Sequence, residues 1–241
     1  MLSEPGLTRA DCLAPGRYVD SDSAAVVQFV GEALAGLAQA DARARSVRLF
    51  EAVRDGLRYD PYGISFDAQD YRASAVLRQR SAFCVPKAIL LTACLRRAGI
   101  PAAVGFADVR NHLNSPRLAE LMGTDVFHYH GYVQLWLGGE TYKVTPAFNL
   151  ELCERFGVKP LIFDGHSDAL FHEADASGRR HMEYVRERGL FADAPVVAIL
   201  QDFAVAYPKL RELSLTAARM RDESFHGPAD RDPAMACHRP S

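Results

Sequence analysis

Between Lys87 and Arg96 the chain carries eight consecutive uncharged residues, Ala88 to Leu95, and all but Thr92 are apolar. A helix that is apolar nearly all round is a buried one, so the fold must be organised about a helix running from Pro86 to Ala98. Pro86 suits a first turn, where its missing N–H removes no intrahelical bond, and Gly99 with Pro101 stops the helix. At 241 residues the chain can bury roughly 70–75% of the surface its unfolded form exposes, so neither disulfides nor a structural metal is needed to cover that helix. One domain, at most two, is expected at this length. The charges nearly cancel, 28 − 30 = −2, with no block of one sign, which argues against a nucleic-acid partner held by phosphate neutralisation. The Ala88–Leu95 run is also the longest apolar one and far short of a membrane span, so no membrane partner is expected.

The five cysteines, Cys12, Cys84, Cys94, Cys153 and Cys237, are odd in number, widely spaced and without a CxxC pair. A disulfide framework is not expected. The first 16 residues carry Glu4, Arg9 and Asp11 and lack the apolar run of a secretory signal. The reading is a cytoplasmic protein with reduced thiols, each either core filler or a reactive group.

Residues 1–20, with Pro5, Gly6, Pro15 and Gly16, read as an N-terminal arm, 21–222 as the domain, and 223–241, rich in Pro, His and Asp, as a disordered tail. Apolar positions at helical spacing predict helices over 21–39, behind a Ser/Asp cap, and over 42–57. A turn-rich loop at Tyr59-Asp60-Pro61-Tyr62-Gly63 and a short helix over 74–79 lead to Cys84. Strands are expected over 102–109, 126–137 and 141–145, the last two joined by a Gly138-Gly139 hairpin turn, with a short helix over 115–122. Beyond Pro146 the pattern is less regular, with helices near 150–156 and from Pro195 to about 222.

Cys84 sits at the start of the buried helix, where the first-turn N–H groups and the positive end of the helix dipole favour thiolate. Lys87 either adds a positive charge near the sulfur or reaches solvent. A nucleophilic cysteine needs a base and donors for the oxyanion, and the amide of Cys84 is one such donor. His128 and His130 lie two apart on a predicted strand and are therefore expected on one face. Such a pair can also hold a metal, with His112 or Cys84 as a third ligand. The other histidines, His166, His172, His181, His226 and His238, fall in irregular or tail segments. Cys94 reads as packed core, Cys12 and Cys237 as incidental, and Cys153 is open.

Cys84 opening an apolar helix, Gly99-Ile100-Pro101-Ala102 leading into a strand, His130-Gly131-Tyr132-Val133, and the hairpin into Tyr142-Lys143-Val144-Thr145-Pro146 together resemble the transglutaminase-like superfamily. The resemblance runs from about Leu77 to Phe148 and implies an α+β, papain-like fold: a helical lead-in, and the cysteine helix packed on a small antiparallel sheet. It implies Cys84 as nucleophile and His130 as base and later acid. Two positions depart from the family pattern. Thr145 stands where an aspartate usually precedes the proline, and it cannot stabilise imidazolium as a carboxylate does. Asn149, four residues on, is an alternative orienter. Ala82 stands where glycine is frequent. Asp108, Arg110, His128 and Asp164 are the substrate-contact candidates.

The function so implied is acyl transfer or amide hydrolysis through a thioester, on a small-molecule amide or a peptide or protein acyl donor, with no cofactor. The alternatives are a weak or inactive binding module that keeps the fold, motivated by Thr145, and a metal-binding protein using His128 and His130. The oligomeric state is not legible.

Overall fold

The computed structural model describes residues 6–37, 40–112, 115–171 and 182–225. Two lead-in helices, α1 (Ala24–Ala33) and α2 (Ala42–Gly56), begin at Ser23 and Asp41, whose side chains accept the N–H groups of Val26 and Ala44 that the helices leave open. A two-residue strand, β1 (Arg58–Tyr59), pairs in parallel with β2 (Ser81–Ala82). Ala82 therefore sits in extended backbone that any residue adopts, which removes the need for glycine there. A 3-10 turn (Ala68–Tyr71) and α3 (Ala73–Val76) fill the loop between the two strands.

The central helix, α4 (Cys84–Arg97), is buried at every residue from Val85 to Arg96, as its composition requires. The chain continues through β3 (Ala102–Asn111), α5 (Pro116–Met122), β4 (Val126–Leu137), β5 (Glu140–Val144), α6 (Leu150–Phe156), β6 (Met182–Phe191), α7 (Val196–Ala206) and α8 (Pro208–Phe225). The four long strands form an antiparallel sheet in the order β5-β4-β3-β6. At the β4–β5 turn Gly138 and Gly139 take φ of 61° and 93°, a conformation that favours glycine. One face of the sheet packs on α4; Cys12, Ala103, Ala107, Tyr132 and Leu190 form a smaller cluster apart from the main core. This is the α+β architecture expected, with a helical lead-in and the cysteine helix on a small antiparallel sheet.

The described part of the N-terminal arm is fastened down. Arg96 donates to the carbonyls of Ala102, Ala14 and Ala192, and the Asp193 carboxylate accepts the N–H groups of Arg17, Tyr18 and Val19. Cys12 is therefore buried rather than incidental, and Cys153 is buried as well.

Two further elements differ from expectation. β6 was not anticipated: it is an edge strand whose run Glu183 to Gly189 mixes charge with aliphatic residues. The single helix expected from Pro195 is broken into α7 and α8 at Tyr207, because Pro208 excludes helical backbone from the residue before it. α8 extends to Phe225, past the expected boundary at 222. His172, His181, His226, Cys237 and His238 lie outside the described residues, as does the tail from 226 onward. Among the described residues no helix is long and apolar enough to cross a membrane.

Candidate active site

Cys84 is the first residue of α4, and its N-cap, Phe83, supplies no side-chain hydrogen bond. The N–H groups of Gly131, Val85 and Cys84 itself are left to face the sulfur. Burial outweighs these donors and pushes the Cys84 thiol up to about 11. The expected bias toward thiolate is thus overturned at rest: the dipole and three donors act on a group that has lost most of its water. Lys87 does not help. Its side chain is fully buried and its Nζ donates to the carbonyls of Arg54, Leu57 and Ala147 at 2.7–2.9 Å, so it ties the end of α2 to the loop after β5.

β4 lies directly on the first turn of α4. A Cβ at Gly131 would stand 2.8 Å from the Cys84 carbonyl oxygen and 3.0 Å from Val85 Cα. Glycine is what permits this approach of the β4 backbone to the start of the helix, and His130 is the residue before it. His130 is 3% exposed. Its ring lies 4.9 Å from that of Phe171 and 6.2 Å, edge-on, from that of Tyr184. Burial pushes its pKa down to about 3, so the resting imidazole is neutral.

The His130 Nε2, the Thr145 Oγ1 and the Tyr184 Oη are all buried without a hydrogen-bond partner among the described residues. They share a region of the sheet. His130 pairs with Ala107, which belongs to the smaller cluster. Extending the β4–β5 pairing by one residue beyond Val133–Val144 sets Thr145 opposite Tyr132, of the same cluster. Tyr184 packs against that cluster too and is close enough to feel charge on Cys84. Thr145 and Tyr184 are near neighbours, but their hydroxyls do not meet hydrogen-bond geometry.

His128 and His130 do not share surroundings, contrary to expectation. Tyr129 between them takes a φ of 56°, and the β3–β4 register slips between Ala107 and Val109. This bulge breaks the alternation on which the same-face expectation rested. His128 Nδ1 lies 3.2 Å from Arg188 Nη2 and 3.4 Å from Asp108 Oδ1, and its ring tilts against that of Tyr207. Among the described residues no three His, Cys, Asp or Glu side chains are grouped to hold a metal. The two histidines therefore do not form the metal pair considered from sequence.

The remaining candidates divide. Asp108 is buried beneath His128 and accepts from Arg188 Nε at 2.6 Å and from Tyr129 N–H at 3.1 Å. Burial alone would raise its carboxyl, but these two donors outweigh it and hold the carboxyl below the usual range. Arg110 pairs instead with Asp125 and Glu183 at the surface. Asp164 accepts the N–H groups of His166 and Ser167 in a turn, beside a surface groove lined by Arg43, Val47 and Glu51 of α2. Asn149 is no orienter of His130: its Oδ1 accepts the N–H of Tyr59 at 3.0 Å.

Cys84 opens into a narrow pocket of about 40 Å³, walled by Tyr59, Ile64, Phe83, Leu118, Met122, Phe127, Phe203 and Tyr207, with His128 in the wall. Tyr207 Oη accepts the His128 N–H at 2.6 Å and so fastens the start of α8 to β4. Tyr184, Arg188, Phe203 and Tyr207 were not anticipated at this site. They arrive from 54 to 79 residues beyond His130 or His128 in sequence, and no local spacing points to them.

Residues 30–146 match the model of the transglutaminase-like superfamily. Among solved structures, the chain is similar to "a Putative Cysteine Protease from Cytophaga hutchinsonii", with 17% identity and a TM-score of 0.42, over 57% of this chain and 41% of that one. The chain thus spans less than half the length of that protein. No curated protein matches the chain.

Proposed function

We propose, from the match of residues 30–146 to the transglutaminase-like superfamily, that the protein is a cysteine-dependent enzyme of acyl transfer or amide hydrolysis, with Cys84 as its nucleophile. The observation that carries this reading is the placement of the Cys84 thiol: it starts a buried helix, opens into an apolar pocket, and lies near the backbone N–H groups of Gly131 and Val85.

With the thiol high and the imidazole low, the resting pair is neutral. His130 therefore takes the thiol proton as the sulfur attacks the acyl carbon, rather than holding a preformed ion pair. The Cys84 amide donates to the oxyanion that develops. The imidazolium then protonates the leaving group, and neutral His130 activates water or an amine to release the thioester. Around His130 the family's carboxylate is replaced by the hydroxyls of Thr145 and Tyr184, neither of which hydrogen-bonds the ring at rest, so the imidazolium charge is not fully stabilised.

That last feature also favours a second reading, a binding module that keeps the fold without turnover. Alkylation by iodoacetamide at neutral pH, resolved by cysteine with mass spectrometry, separates the two. The enzyme reading expects labelling of Cys84 to depend on His130 as proton acceptor, so that His130→Gln slows it at least about ten-fold. Labelling of Cys84 indifferent to His130 leaves the binding module.

A further inference from the structure

In the largely apolar wall of the pocket at Cys84, His128 and Tyr59 carry polar groups, and the His128 ring proton can be assigned. Arg188 can only donate, so at 3.2 Å from Nη2 the His128 Nδ1 is an acceptor and the ring proton sits on Nε2. Asp108 does not reverse this: its Oδ1 is 3.4 Å from Nδ1 and already accepts from Arg188 Nε and from Tyr129 N–H. The tautomer is thus fixed from behind. His128 keeps its far nitrogen as a donor, while its ring lines the pocket that Cys84 opens into.

The rest of the wall offers little to a charge. Ile64, Leu118, Met122, Phe127 and Phe203 present carbon, Tyr207 has its hydroxyl spent on the His128 N–H and the Val126 carbonyl, and Tyr59 adds one neutral hydroxyl. A carboxylate or a primary amide placed among them would lose water without replacing its hydrogen bonds. Resting on the reading of Cys84 as an acyl-forming nucleophile, we infer that the substrate's acyl group is uncharged and apolar, with a carbonyl oxygen in its body accepting from His128 Nε2–H. The site so built disfavours glutamine-like and acidic acyl groups.

The test uses the full chain with p-nitrophenyl esters of acetate, hexanoate, 4-oxopentanoate, phenylacetate and succinate. In each reaction a bond forms between the Cys84 sulfur and the acyl carbon, the ester C–O bond breaks to release p-nitrophenolate, and the thiol proton passes to His130. The expected result is kcat/KM for phenylacetate and hexanoate at least ten-fold above acetate, and succinate below acetate. His128→Phe, which keeps the ring and removes the donor, should lose at least ten-fold on p-nitrophenyl 4-oxopentanoate, whose acyl group carries a carbonyl in its body, and little on the hexanoate, and His128→Gln, which retains an N–H, should recover part of the loss. A flat profile, or succinate preferred, with an acyl adduct on Cys84, overturns the inference and leaves the enzyme reading standing. No adduct on Cys84 with any ester overturns both.

Discussion

Thr145 occupies the position where the family pattern has a carboxylate, and its hydroxyl, like the His130 Nε2 and the Tyr184 Oη, is buried without a partner among the described residues. Thr145→Asp should supply the missing charge, raise the basicity of His130, and speed iodoacetamide labelling of Cys84 at neutral pH several-fold; an unchanged rate would show that this corner does not act on the histidine. His130 itself makes stability depend on pH. Its folded value of about 3 lies below the ordinary histidine value, so between the two the unfolded chain binds the extra proton. Stability is full above about pH 6.5 and falls as pH drops toward 3, by about 1.4 kcal/mol per pH unit, and denaturant titrations of His130→Gln should lack that slope. Gly131→Ala puts a methyl group against the first turn of α4 and should cost about 1–3 kcal/mol in thermal or denaturant unfolding. The nucleophile was legible from sequence because a helix start is a local feature. The low basicity of His130 was not, since it follows from burial by residues such as Phe171 and Tyr184 that are distant in the chain.

The elements whose apolar pattern is regular were read closely. β4 begins and ends where its alternation predicts, and α4 begins two residues before its proline. β6 escaped because an edge strand tolerates charge on both sides, and one of its glutamates, Glu187, is occupied by Tyr132 and Lys143. The bulge at Tyr129 escaped for another reason: a non-glycine residue at positive φ is held there by Asp108, Asp202 and Arg188, none of them adjacent in sequence. Lys87 illustrates an interaction between elements that composition alone reads as a surface charge. Its ammonium joins the end of α2, α4 and the loop at Ala147, so Lys87→Met should lower the unfolding free energy by about 3 kcal/mol through three stranded carbonyls. Chemical denaturation of the variant measures this.

Across the whole molecule, Arg96 and Asp193 clamp the arm, the sheet and the segment after β6 together. Asp193→Ala should leave a cooperative unfolding transition and selectively speed amide hydrogen exchange at Arg17, Tyr18 and Val19, which lose their acceptor. These long-range ties were invisible in the sequence, where an aspartate between two alanines carries no sign of the three N–H groups it serves. The pocket is assembled in the same way. Cys84, Gly131, His130, Thr145 and most of the wall, His128 included, fall within the matched stretch of 30–146, while Arg188, Phe203 and Tyr207 lie beyond it. One side of the pocket, and the guanidinium behind His128, thus come from a length of chain separate from the nucleophile's. Grafting a different C-terminal segment onto the same nucleophile would reshape that side without rewriting the thiol.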